Sequence, residues 1–485
     1  MSVKRSVLIW RILLILILYA LQGLIQGFIV SIPLYLASYS ASWKEQGTFS
    51  WVSYPFSFKI LWAPLIDSIY SRRIGGRHRT WLIPVQILIG IILIVLSFYL
   101  EFLLVNLQVV TLAIVFFSLC FLIATQDVVV DGWSVLLFTN SNPQWSSTCQ
   151  SIGEMIGRFI STTVLMTLES AHFTNKYIRQ PLSLPHRPYG LFSLQQFTLF
   201  WGVAFIIVSI IMIIFTICKN QSNKVNNENI QDVQEIKPKL FQTYLAILKL
   251  FKKPCLRQFA LILLTFNVGF AATYYMTNLT LVEHGITRDI VALINGPLLV
   301  IHIVVPLCMS RIRHPLLWFA RGYIPRLFGS IILAIFICFT PQILHTSYYY
   351  PILILLLCLN EGLVYIITVS RVGIYARISD PHIASTYMTL LATISNLGQS
   401  ISSTVVLYLA NWLPKLHAYS IEVGICFILG CIWIGFMWRL MTRLDQLPRE
   451  EWHLTSSPSI PISTSTTHSQ ANIIEGSVNV IGVNP

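Results

Sequence analysis

Asp127 and Asp131 stand four residues apart in the stretch QDVVVDGW (126–133), near the end of a long apolar run. On a helix that spacing puts both carboxylates on one face. An acidic side chain in the hydrocarbon core costs roughly 2.5–3.5 kcal/mol on insertion scales, so such groups turn toward a bundle interior or a water-filled path. Three more charges have the same character. Lys59 lies mid-span in YPFSFKILWAP (54–64), too deep to snorkel easily. Glu154 and Arg158 are again one turn apart and could satisfy each other. Two kinds of chemistry are open to this set: charge pairing between helices, or binding of a charged solute on its way through. Lys59 suits both, as anchor for an anion or as partner of Asp127 or Asp131. Trp133 could pack or could line the path. In the second half Glu361 sits mid-span with Arg371 closing its helix. Tyr387, Ser395, Asn396 and Gln399 form a polar stripe that fits a cavity wall or plain interhelical bonding. His302 reads as a packed core histidine without an evident acidic partner.

The elements that must hold these residues are apolar runs of membrane-spanning length. The 485 residues are 55% hydrophobic and 11% charged, against about a quarter charged in soluble domains, and the mean hydropathy is +0.70. A soluble domain is excluded and a multi-pass membrane protein follows. Spans are predicted near 7–36, 49–70, 81–100, 107–138, 146–169 and 196–217, then near 257–282, 289–309, 323–340, 350–370, 384–410 and 418–440. Pro55 and Pro64 interrupt the second, and Pro297 and Pro306 the eighth, which a helix tolerates when it is buried or lines a cavity. This divides the chain into a first six-helix half (1–217), a Lys- and Asn-rich linker (218–256), a second six-helix half (257–440) and a tail (441–485) that is mostly disordered and Ser/Thr-rich. The first run is long and lacks a cleavage pattern, so it is retained.

Most of the 32 Lys and Arg fall in the even-numbered connections and the two termini, including Arg311, Arg313, Arg321, Arg326, Arg371 and Arg377. Both termini are therefore expected in the cytosol. The loop 170–195, with Lys176, Arg179 and Arg187, runs against that bias. The +13 net charge belongs to these loops and does not point to nucleic acid. The nine cysteines show no CxxC and no Cys/His cluster, so neither a disulfide framework nor a metal site is expected. No cofactor is implied. Gly23 and Gly27, and Gly153 and Gly157, are small-xxx-small pairs that allow close helix crossings.

Two six-helix halves joined by a long linker suggest the major facilitator superfamily, where the substrate site lies near the midplane between the halves. Asp67, Arg72, Arg73, Gly75, Gly76, Arg77 and Arg79 resemble its acidic–glycine–basic loop, with shifted spacing. More specifically, YPFSFKILWAPLID (54–67), RTWLIPVQILIG (79–90), ATQDVVVDGW (124–133), STCQSIGE (147–154), ESAHFTNKYIR (169–179), LVEHGIT (281–287) and ISDPHIASTYMTLLATISNLGQS (378–400) resemble the eukaryotic acetyl-coenzyme A transporters of the endoplasmic reticulum. That resemblance implies twelve helices and movement of acetyl-CoA from cytosol to lumen, with CoA as a conceivable counter-substrate. Under a transporter reading, Lys59, Trp62, Trp133, Arg158, Tyr387 and Asn396 are the candidate substrate contacts. Asp67, Asp127, Asp131, Glu154, Glu361 and Arg371 become a candidate gating or charge network. Arg158 departs from the family pattern, which leaves substrate preference open. Rival readings are a muropeptide-permease-like or other anionic-solute carrier, an integral membrane acyltransferase, and a non-transporting sensor. Uniport, exchange and proton coupling all stay open, as does the oligomeric state.

Overall fold

The computed structural model describes residues 2–70, 77–138, 144–225, 240–309, 314–379, 384–414 and 417–453. Among these every regular element is helical. The helices are α1 (Ser2–Ser38), α2 (43–68), α3 (Arg77–Val105), α4 (Val109–Phe138), α5 (144–169), α6 (Leu194–Val225), α7 (254–283), α8 (288–308), α9 (Pro315–Cys338), α10 (Tyr349–Ile378), α11 (Ala384–Ala410) and α12 (Ala418–Gln446). Ten of them are long and apolar enough to cross a bilayer. The other two, α2 and α5, are interrupted. Two 3-10 turns, Trp51–Ser53 and Lys59–Leu61, break α2 beside its prolines, and a π-turn at Ile160–Val164 breaks α5. The expected interruption of the eighth span is also present, between Ile294 and Leu298.

Each helix has a lipid-facing stripe and a packed one. On α4, Val110, Ile114, Phe117 and Phe121 are exposed at helical spacing, while Leu112, Phe116, Leu119, Ile123 and Asp127 are buried on the other side. The periphery pairs α3 with α6 and α9 with α12. At the centre α1 crosses α5 through the two glycine pairs. A Cβ on Gly157 would stand 2.0 Å from the Ala20 carbonyl oxygen, and one on Gly23 would stand 2.2 Å from that of Glu154. Only a hydrogen fits, so this contact fixes where Glu154 and Arg158 emerge. Gly157→Ala is expected to force the helices apart at a cost of about 1–3 kcal/mol, read as a lower melting temperature of the purified protein. An unchanged melting temperature would mean the crossing is not tight.

The first half (α1–α6) meets the second (α7–α12) along a hydroxyl seam. Ser50 bonds Thr404 (2.8 Å), Ser53 and Ser57 both bond Ser400 (3.0 Å each), and Thr48 bonds Tyr408 (3.1 Å). Further contacts between α5 and α8 lie at Ile160–Glu169 against Arg288–Ile294, on the face opposite the linker. We call that the far face. There Arg288 bonds Glu169 (3.4 Å) and lies over the Tyr35 ring (4.2 Å), and Ser170 donates to Asp289 (2.8 Å). Outside this latch is a cavity of about 880 Å³, lined by Glu101, His172 and Tyr189 among others.

Three sequence expectations are corrected. The ninth helix begins at Pro315, not near 323, because Arg321 and Gly322 dilute the apolar signal of its first turns while Pro315 supplies a start signal. Arg326, expected in a loop, is therefore deep in α9 and 4% exposed. Arg371 likewise sits inside α10, which runs on to Ile378. The far-face loop is folded. Arg179 is buried and donates to Asn175 and to the carbonyls of Tyr189 and Gly190, so its charge is taken up by loop structure. On the linker face, a short helix (Leu240–Phe251) docks under α2, and the Tyr244 hydroxyl donates to the Leu61 carbonyl. The side chain of Asp67, residues 71–76 and the tail from 454 lie outside the described residues.

Candidate functional site between the halves

The first-half wall carries one continuous polar network. Lys59 reaches Asp127 at 2.5 Å. Gln22 donates to the other Asp127 oxygen (2.6 Å) and to Glu154 (3.3 Å). Tyr19 donates to Asp131 (2.7 Å), Gln150 donates to Asp131 (3.2 Å), and Arg158 pairs with Glu154 (3.3 Å) while donating to Gln26. The one-turn spacings and the interrupted α2 bring these groups together. Lys59 enters at the second 3-10 turn of α2, which rotates its ammonium onto α4. Three carboxylates here face two bases, and glutamines fill the gaps. A buried network of this kind is stable only when its members are satisfied.

The second-half wall is built differently. His302 of α8 and Glu361 of α10 are 3.0 Å apart, and His302 stacks on Tyr365 with ring centres 4.2 Å apart. This corrects the expectation of a histidine without an acidic partner: the partner is 59 residues away and invisible to local spacing. Arg326 lies over Phe270 (3.8 Å), and Arg371 lies over Phe266 (5.1 Å) and donates to Ser395 (2.7 Å). The two rings bracket the stretch where α7 unwinds into a 3-10 turn: Phe266 opens it and Phe270 caps its end. Gly269 is there because a Cβ would meet the Gly430 Cα of α12 at 2.9 Å. Tyr274 is half exposed although it lies mid-chain in α7, and it sits in the electrostatic field of Arg158, Glu361, Arg326 and Arg371. Tyr365 is likewise in the field of Arg158 and Glu154. The half-exposed Arg158 of the first wall and Tyr274 of the second therefore stand within electrostatic reach of each other across the halves.

Of the candidate residues, the structure brings together Lys59, Asp127, Asp131, Glu154 and Arg158 on one wall, and Glu361 and Arg371 on the other. Arg158 keeps half its side chain exposed. Asn396 is half-buried beside Ser395. Trp62 packs on Phe121 (4.7 Å), and Trp133 is covered by His78 and Arg79, with ring centres 6.3 Å apart and the guanidinium 6.0 Å away. Tyr387 is corrected: it is fully buried, with its hydroxyl on the Trp452 carbonyl (3.3 Å), because residues 447–453 fold back over α11. Sequence reasoning missed Arg326, Tyr274, Tyr365 and the latch. An arginine eleven residues inside a Pro-started helix was the available signal for the first. The tyrosines carried none.

The family model described as acetyl-coenzyme A transporter 1 matches residues 11–314 and 307–423. An uncharacterised protein of Schizosaccharomyces pombe is 31% identical over 83% of this chain and 75% of its own length. An uncharacterised membrane protein of Saccharomyces cerevisiae is 26% identical over 91% of this chain and 97% of its own. The anhydromuropeptide permease of Escherichia coli is 30% identical, but over 28% of this chain and 29% of the permease. Among solved structures, a bacterial homologue of the lysosomal transporter Spinster superposes with a TM-score of 0.59 at 12% identity, covering 92% of this chain and 98% of that one. The nucleoside transporter NupG gives 0.55 at 14% identity, covering 89% and 99%. The fold is that of the major facilitator superfamily, and the chain belongs to the acetyl-coenzyme A transporter family of membrane transporters.

Proposed function

We propose that this protein carries acetyl-CoA from the cytosol into the lumen of the endoplasmic reticulum by alternating access, with the linker face cytosolic. The observation that carries this reading is the open Arg158 on one wall within electrostatic reach of Tyr274 and Tyr365 on the other, with the halves latched at the far end. Acetyl-CoA offers phosphates to a guanidinium and an adenine to an aromatic face, which is what those groups accept. Lys59 joins the ligand contacts only when its pair with Asp127 opens. Free CoA is a natural return substrate, since it shares every feature but the acetyl group.

Binding is tested by melting the detergent-purified protein with acetyl-CoA, CoA or an anhydromuropeptide. A ligand at one hundred times its Kd stabilises by about 2.7 kcal/mol, enough to move the transition visibly. Stabilisation by acetyl-CoA and CoA alone is expected. Stabilisation by the muropeptide alone would replace the substrate. A second reading, an acyltransferase, is favoured by the His302–Glu361 pair. It requires the protein to release free CoA from acetyl-CoA when an acyl acceptor is present, and a thiol assay separates the two.

A further inference from the structure

We propose that Arg326 and Arg371 form a binding site for a phosphate or pyrophosphate group of the transported molecule. The two side chains come from α9 and α10 and converge on the unwound stretch of α7, each over one of its phenylalanines. Arg326 is 4% exposed and, among the described residues, makes no hydrogen bond and no ion pair. Its Nε is sealed inside the protein without a partner, and so is that of Arg371. The terminal nitrogens of Arg326 are not among the sealed atoms, nor is the second terminal nitrogen of Arg371, so they keep accessible surface, and the half-exposed Tyr274 lies in the field of both guanidiniums.

A buried guanidinium without an anion is costly, and the cation–π contact with Phe270 returns only part of that cost. Glu361, the carboxylate in the field of Arg326, is engaged by His302. Charge is thus distributed unevenly. The first-half wall has three carboxylates for two bases, whereas this wall has two guanidiniums for one carboxylate already taken. What is missing from the second wall is an anion, and a planar guanidinium fork accepts a phosphate through paired hydrogen bonds. A substrate lacking phosphate would leave the Arg326 fork unpaired and Arg371 with Ser395 alone. The inference rests on the transporter reading in placing the ligand between the halves, and it adds which groups take the phosphates.

The test is binding of CoA, acetyl-pantetheine and inorganic pyrophosphate to the full-length protein and to Arg326→Gln and Arg371→Gln. Each substitution is expected to weaken CoA and pyrophosphate by about tenfold or more, the loss of one charged bidentate contact, while acetyl-pantetheine binding is unchanged. The ligand-free Arg326→Gln protein should melt no lower than the parent, because an unpaired charge has been removed rather than a bonded one. If Arg326→Gln does not give folded protein, Arg326→Lys, which keeps the charge and loses the fork, is expected to show the same selective loss of CoA. Parent-like CoA binding in the variants would overturn the proposal, as would equal loss of CoA and acetyl-pantetheine. If the parent protein ignores acetyl-CoA but binds pyrophosphate through Arg326, the substrate assignment fails and this site stands. If acetyl-CoA binds the parent and both variants alike, this site fails and the assignment stands.

Discussion

Asp127→Ala is expected to destabilise the protein by about 3–5 kcal/mol, because it strands the Lys59 ammonium in a site where its side chain is only 12% exposed. Lys59→Ala leaves the converse defect, softened by the Gln22 amide, which still donates to Asp127. The informative variant is the double one. Replacing Lys59 by Met and Asp127 by Leu removes both charges at similar volume, and a buried pair exchanged for apolar groups is often neutral or better in stability. The double variant should therefore melt near the parent while transport is lost, since the network could no longer rearrange. Melting curves and uptake measured on the same preparations check this. A double variant as unstable as Asp127→Ala would show that the remaining network, including Gln22 and Glu154, needs the charge itself.

The second large effect is expected at the far-face latch. Arg288 joins Glu169 and Tyr35 across the halves, and Asp289 accepts from Ser170 with His172 3.7 Å away. These bonds exist only while the far face is closed, so they bias the conformational equilibrium rather than the fold. Arg288→Ala should raise the far-open population, and every 1.4 kcal/mol lost from the closed state is about tenfold. A cysteine placed behind the latch, for example Thr163→Cys, buried against the Ala292 carbonyl across the halves, should then label faster with a membrane-impermeant thiol reagent added from the far side. Labelling at the parent rate would mean that the hydroxyl seam of α2 and α11 holds that face shut without the latch.

The sequence made legible whatever a single helix carries. One-turn carboxylate spacing placed Asp127 with Asp131 and Glu154 with Arg158 on shared faces, and the glycine pairs announced the α1–α5 crossing. It could not say which partner Lys59 or His302 would take, because their partners lie on other helices. Lys59 had two acidic candidates and the turn at Lys59–Leu61 chose Asp127. His302 found Glu361, and Tyr387 was covered by a segment sixty-five residues away. Arg326 was misplaced for a local reason: a charge near a weakly apolar helix start reads as loop. Its burial is a property of three helices packing at the break in α7. Tyr274 and Tyr365 were invisible because tyrosine on an apolar helix is ordinary until the cavity beside it is known.

The central claim is most directly tested by uptake of labelled acetyl-CoA into liposomes carrying the purified protein, with unlabelled CoA and an anhydromuropeptide as competitors. Saturable uptake that CoA blocks and the muropeptide leaves alone is the expected result. Preloading with CoA and imposing a proton gradient in the same vesicles separate exchange from coupling. Uptake blocked by the muropeptide and not by CoA would contradict the account, and so would the absence of any uptake by protein whose melting curve shows it to be folded.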